Sequence, residues 1–214
     1  MIEIQKFTFN PFQENTYLLF DESKSAIVID PGCYEREEEN EIKSFIDDHE
    51  LKLVKVLNTH CHIDHVLGNA FFYDTYGLKP ILHKKDLSIL KAVKDYGTAF
   101  GINPTPSPEP EEFIEEGDNI TFGNSTLRTL HIPGHAPGHV VFINDSQKII
   151  IGGDILFYGS IGRTDLPGGD HDTLIKSIHE KLMTLNDDFV VYPGHGPSTN
   201  IGFEKKNNPF LQQN

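Results

Sequence analysis

The chain has 214 residues, of which 37% are apolar and 23% charged, and a net charge of −14. This suits one globular unit with a sizeable core, and an acidic bulk with no basic cluster beyond Lys84-Lys85 and Lys205-Lys206 disfavours nucleic acid as substrate. No run reaches signal-peptide or membrane-spanning length, and Cys33 and Cys61 make no disulfide framework, so a cytoplasmic protein without membrane contact is expected.

In chain order, residues 2–9, 15–21 and 25–30 read as short strands, separated by Asn10-Pro11 and by a hairpin turn at Asp21 to Lys24. The third strand stops at Asp30-Pro31-Gly32. A helix over 36–50 follows, with Ile42, Phe45, Ile46 and His49 on one face and an acidic first turn that suits the helix dipole. The apolar run 51–57 reads as a buried strand, and 66–76 as a helix. Ile81-Leu82-His83 resembles another strand end, where His83 has no liganding neighbours, and 86–94 reads as a further helix. Residues 103–110 place proline at every second position and predict an extended, rigid surface connection inside one unit spanning 1–214. Strands are then expected at 120–122, 126–132, 140–143 and 148–151. A helix over 171–185 carries Leu174, Ile175, Ile178, Leu182 and Leu185 on one stripe; a strand at 189–192 and a helix over 199–207 complete the chain. Mixed sheets covered by helices on their outer faces would bury these runs.

The chemistry concentrates between the strand at 51–57 and the next helix. Thr59-His60-Cys61-His62-Ile63-Asp64-His65 packs three histidines and an aspartate into six positions, 60–65. Imidazole and carboxylate are ligands that divalent transition metals prefer. His60 and His62, two apart in extended backbone, point to one side, whereas Asp64 and His65 sit at a turn and can face a second point. Cys61 alternates away from the histidines and reads as packed. Three later strand ends use a related device: Pro133-Gly134-His135, Gly152-Gly153-Asp154 and Pro193-Gly194-His195. Together these loops offer five histidines and two aspartates, a number that suits two metals sharing a carboxylate and a water. His131 and His139 flank His135 across Pro-Gly breaks and read as orienting or packing groups; His171 and His179 read as solvated, His171 lying near the expected pocket mouth.

The ordered set His-x-His-x-Asp-His, Pro-Gly-His, Gly-Asp and Pro-Gly-His resembles the metallo-β-lactamase fold superfamily, and within it the short glyoxalase II-like hydrolases. Asn15-Thr16-Tyr17, Asp30-Pro31-Gly32, Gly159 to Gly169 and Tyr192 to Pro197 share in the resemblance, which spans nearly the whole chain. It implies an α+β fold, a four-layer αββα sandwich with metals at strand ends along one edge. It also implies that His60, His62 and His135 hold one metal, that Asp64, His65 and His195 hold a second, and that Asp154 bridges them. Zinc is the first choice, with iron or manganese as alternatives.

The expected activity is hydrolysis of a small-molecule thioester such as lactoylglutathione by a metal-bridging hydroxide, with no separate protein nucleophile. A thiol leaving group with a pKa of about 8.5 departs with little acid assistance. Arg163 and His171 are candidate substrate contacts, although an internal Arg163-Asp165 pair would serve the loop equally. The additional C-terminal helical domain of full-length hydroxyacylglutathione hydrolases is not expected here, which opens the thiol carrier to other choices. A mononuclear-iron persulfide dioxygenase, sharing Gly162-Arg163-Thr164-Asp165, is the alternative reading. The Pro-Gly-His-Gly-Pro form at 193–197 and His139, where such enzymes tend to carry cysteine, favour the hydrolase. β-Lactamases and nucleic-acid-processing relatives fit less well, lacking here a matching second site with a secretion signal and a basic surface respectively.

Overall fold

The computed structural model describes residues 1–212. β1 (Glu3–Phe9), β2 (Glu14–Phe20) and β3 (Ser25–Ile29) form an antiparallel meander. Helix α1 (Arg36–Asp48) then carries the chain back to β4 (Lys52–Leu57), parallel to β3, and α2 (Asn69–Tyr76) leads to a short parallel β5 (Pro80–Ile81). Beyond α3 (Leu87–Gly97) come β6 (Asn119–Phe122), β7 (Ser125–His131), β8 (Val140–Asn144) and β9 (Ile149–Gly153). A hairpin of β10 (Leu156–Phe157) and β11 (Ser160–Ile161) precedes α4 (His171–Ser177), which continues as a π turn over Ile178–Leu182. β12 (Val190–Pro193), β13 (Thr199–Asn200) and α5 (Ile201–Asn207) follow. The first five strands make one sheet in sequence order, and a six-stranded sheet runs β13-β12-β9-β8-β7-β6.

Period-two alternation decides the layering. On β2, Tyr17 and Leu19 enter the cluster between the two sheets, while Leu18 and Phe20 pack outward with Ile42 and Ile46 of α1 and Phe72 of α2. β8 divides in the same way: Val140 and Phe142 face the other sheet, whereas Val141 and Ile143 meet Leu174, Ile178 and Ile201. Both faces of each central strand are therefore apolar, and the result is helix, sheet, sheet, helix. A fourth cluster, with Cys61, Ile63, Val66, Leu82, Leu90 and Val93, seats the loop after β4 beneath α3. Cys61 is packed there and fully buried.

Several element boundaries differ from the sequence reading. Residues 63–65 form a 3₁₀ turn, and the helix expected from 66 starts at Asn69. Gly68 lets this entry pack closely, because a Cβ there would lie 2.6 Å from Cys33 Sγ. The helix expected over 171–185 widens into a π turn at its middle, which keeps Ile178 and Leu182 buried against the second sheet. The β10–β11 hairpin had no sequence signal, since two-residue strands show no alternation. Residues 199–200 are a strand rather than a first helical turn, and the Asn200 side chain caps α5 by accepting from Phe203 N–H. Among the described residues no helix is long and apolar enough to cross a membrane.

The two sheets are tied together along one edge. Val140 N–H donates to Thr59 O at 2.8 Å, Asn15 N–H to Gly194 O at 2.7 Å, and the Tyr17 hydroxyl to Pro193 O at 2.7 Å. The C-terminal ends of β3, β4, β9 and β12 and the turn after β7 thus converge. Gly134, at φ +127, allows that turn to lie against α4, for a Cβ at 134 would stand 2.3 Å from Leu174 N. Gly134→Ala combines a left-handed conformation with a backbone clash and is expected to destabilise the fold by about 2–5 kcal/mol. Thermal unfolding measures this, and an unchanged midpoint would contradict the packing described.

Candidate metal centre

The strand ends deliver two sets of ligand atoms. His60, His62 and His135 form one triad, with His62 Nδ1 2.9 Å and His60 Nε2 3.2 Å from His135 Nε2. Asp64, His65 and His195 form the other, with Asp64 Oδ2 3.1 Å from His195 Nε2 and 3.7 Å from His65 Nε2. Asp154 stands between them. Its Oδ2 is 3.7 Å from His135 Nε2 and 3.5 Å from His195 Nε2, and its Oδ1 is 3.5 Å from His65 Nε2. All seven residues singled out as ligands in the sequence are thus brought together. Loop chemistry explains their placement: the extended backbone at His62 turns into the 3₁₀ segment, so His60 and His62 serve one triad and Asp64 and His65 the other.

Hydrogen bonds on the far side of the rings fix their tautomers, as second-shell contacts commonly do around metals. His135 Nδ1–H donates to Arg163 O at 2.7 Å, and His65 Nδ1–H to Asp30 Oδ2 at 3.0 Å. The Thr59 hydroxyl donates to Asp30 Oδ2 at 2.6 Å, leaving its oxygen to accept from His60 Nδ1–H at 3.0 Å. His60 and His135 therefore present proton-free Nε2 atoms to each other at 3.2 Å, two lone pairs with no hydrogen bond between them, while His62 Nδ1–H donates to His135 Nε2 at 2.9 Å. His65 Nε2 and Asp154 Oδ1 are buried with no hydrogen-bonding partner. Buried polar atoms are rarely left so, and a shared divalent cation is the group that would satisfy them. The residues fit a metal site.

Electrostatics divides the triads. Burial holds His60 well below the ordinary histidine range, with nearby His65 adding to the effect, and carries His62 down to about 3. Burial also lowers His135, against the opposing pull of Asp154. His65 behaves in the opposite way: burial would lower it, but Asp154, Asp64 and Asp30 raise it well above the ordinary value. Burial would likewise lower His195, yet its bond to Asp64 and the charge of Asp154 raise it. The same attraction outweighs burial at Asp64 and Asp154 and lowers both carboxyls, chiefly through His65.

The remaining sequence candidates sit around this centre. Arg163 contributes its carbonyl to His135, while its guanidinium is paired to Asp165 by two contacts of 2.7 Å. His171 is exposed at the start of α4, and His179 is exposed further on. His139 accepts the Asp154 N–H on Nε2 at 3.0 Å and stacks on His60. His131 donates from Nε2 to Pro137 O and stacks on His83. Sequence reasoning gave no role to Asp30, Thr59 or Glu14. Asp30 accepts from Thr59 N–H, the Thr59 hydroxyl and His65; Glu14 is fully buried, with Oε1 3.8 Å from His65 Nδ1. Asp30-Pro31-Gly32 is itself a strand end closed by Pro-Gly, so the pattern that revealed His135 and His195 was present there too.

The chain matches the family described as "Metallo-beta-lactamase superfamily" across residues 9–195. It is 39% identical over 206 residues to the hydroxyacylglutathione hydrolase GloC of Haemophilus influenzae, covering 94% of this chain and 93% of that one. Among solved structures it resembles the BLEG-1 B3 metallo-beta-lactamase, with a TM-score of 0.90, 33% identity and coverage of 99% and 100% of the two chains. It also resembles TTHA1623 in a di-iron-bound form, with a TM-score of 0.87, 36% identity and coverage of 97% and 100%.

The two triads differ in their competition with protons. Asp154, Asp64 and Asp30 raise the proton affinity of His65, so a metal at the second triad would compete with protons more strongly than one at the first, and its affinity should rise with pH. The first triad, whose histidines burial keeps neutral, meets no such competition near neutrality. Metal per chain after dialysis between pH 8 and pH 6 should therefore fall at the second triad first. His62→Ala and His195→Ala variants assign which metal is lost, and earlier loss from the first triad would refute this ordering.

Proposed function

The chain belongs to the metallo-beta-lactamase superfamily, and from that premise we propose that it is a dinuclear metal-dependent hydrolase of small-molecule thioesters, hydroxyacylglutathione-type esters foremost. The observation that carries the reading is the arrangement of seven ligand side chains in two triads about Asp154. A purely structural metal needs a closed set of four. His60, His62 and His135 would hold one cation, Asp64, His65 and His195 the other, and Asp154 would contact both. Zinc is the proposed metal, because it suits hydrolysis without redox side chemistry; the di-iron form of TTHA1623 makes iron the first competitor. Bound cations would supply Lewis acidity, polarising the substrate carbonyl and bringing a water's pKa near neutrality.

The protein's own part is to fix, shield and orient. Cys33 and Cys61 are buried and their thiols are pushed up by burial, so neither offers a thiolate nucleophile. His60 and His65 are sealed from solvent, whereas the His195 side chain keeps 28% of its surface. Substrate would therefore approach on the His195 side, where the Phe157 ring lies 6.3 Å from the imidazole at a steep angle and offers an apolar wall. Arg163 and His171 are the proposed rim contacts. An anionic thiol carrier would have to draw the Arg163 guanidinium from Asp165, which makes that pair a gate on carrier choice. The Asp154 N–H bond to His139 holds the carboxylate's backbone in register with the His135 turn. This observation favours the hydrolase over the persulfide dioxygenase reading, since the position is occupied by an imidazole acceptor and not by a thiol.

Metal-loaded protein should hydrolyse lactoylglutathione, releasing free thiol that a chromogenic reagent detects. His60→Ala and Asp154→Ala should each reduce the rate by roughly 10²–10⁴, the scale of losing an essential catalytic group. Robust activity in either variant would sink the reading. Faster turnover of nitrocefin than of any thioester, or oxygen consumption with glutathione persulfide, would replace it with a β-lactamase or a dioxygenase.

A further inference from the structure

Asp86 lies outside the centre and has no part in the function just described, yet it is fully buried at the entry to α3. Its two carboxylate oxygens point in different directions. Oδ2 accepts the N–H of Cys61, at 3.1 Å, and Oδ1 accepts the N–H of Gly138. Cys61 is the residue between His60 and His62; Gly138 closes the turn that begins at His135. That turn is a stiff unit, because Ile132 N–H donates to His139 O and His139 N–H to Ala136 O, so holding Gly138 holds His135. Gly138 also has no room for a side chain: a Cβ there would stand 2.7 Å from Asp86 Oδ1. A charged group placed without solvent is costly unless it is well bonded, and the two amides it bonds belong to the two loops that build the first triad.

We propose that Asp86 is a positioning residue that sets the separation of the His60–His62 loop from the His135 turn, so that metal affinity at the first triad depends on it far more than affinity at the second. The second triad is fixed by other groups. Asn10 Nδ2 donates to Asp64 O, Asn58 Nδ2 to His65 O, and Asn15 Nδ2 to Pro193 O and Gly196 O on either side of His195. Asp86 bonds none of these. The inference rests on the reading that both triads bind metal. Second-shell changes of this kind commonly cost 10–100-fold in affinity, here through the geometry of the backbone and not through a ligand's own ring.

Asp86→Asn keeps the shape but turns an amide N–H toward one of the two donors; Asp86→Ala removes both acceptors. Metal per chain by mass spectrometry, with affinities from competition against a chromophoric chelator, should show two zinc ions on the parent protein. Both variants, folded by circular dichroism, should bind both ions but lose at least about tenfold more affinity at one than at the other. Adding His62→Ala to Asp86→Asn should cost little further metal, whereas adding His195→Ala should remove the tight ion as well. Should the Asp86 variants not fold, Gly138→Ala breaks the same staple from its other end and carries the same expectation. Two tight ions in the variants, or equal weakening of both, overturns the inference while leaving the proposed function intact. A single ion on the parent protein overturns both.

Discussion

The carboxylate of Asp30 is the contact on which the centre depends. It sits at the end of β3 with φ +52, an unusual conformation for a residue with a side chain, and is almost completely buried. One oxygen accepts the Thr59 amide; the other accepts the Thr59 hydroxyl and the His65 imidazole. Through the hydroxyl it also aligns His60. One anion thus sets a ring in each triad and pins the loop after β4 to the end of β3. Its own backbone is in turn held, since Asp30 N–H donates to Leu57 O and the Thr16 hydroxyl to Asp30 O. Strand pairing is thereby converted into ring orientation, the property that a metal senses most directly.

That arrangement works against stability when the ligands are bare. His65 Nε2 and Asp154 Oδ1 are buried without a hydrogen bond, 3.5 Å apart, and only the attraction between them offsets that burial. The fold tolerates this because the surroundings are generous elsewhere: three apolar clusters fill the space between the sheets and beneath both helical layers. Charge is arranged with equal economy. The acidic residues gather about His65 and His195, while the imidazoles of the first triad stay neutral through burial. Cation binding would satisfy the orphaned atoms and so couple occupancy to folding.

Much of this was legible in the sequence, for identifiable reasons. Strands such as β2 and β8 are apolar on both faces and long enough to register as buried runs, which led to sheets covered on their outer sides. The seven candidate ligands were legible because Pro-Gly and Gly-Gly stops leave polar residues at strand ends, and because alternation separates His60 and His62 from Asp64 and His65. What stayed hidden depends on distance across the fold. Asp30 and Thr59 are 29 positions apart, and Asp86 and Gly138 are 52 apart, so neither pairing leaves a local pattern. Glu14 falls between two expected strands and proves to be wholly buried beside His65. The β10–β11 hairpin was invisible because its strands are two residues long; its shape comes from a buried Glu204 that accepts Gly159 N–H and the Thr199 hydroxyl.

The parallel pairing of β9 with β12 has a consequence in time as well as in space. His195 follows β12, and Asn15 near the N-terminus bonds the carbonyls on either side of it. The first triad draws its ligands from residues 60–135 and its His135 ring is held by the Arg163 carbonyl, whereas the second needs residue 195 and a strand paired beside β9. Contacts between such distant segments form late, because loop closure must precede any gain from them. The loop-closure cost of bringing residue 195 beside residue 15 therefore falls on the second triad and not on the first.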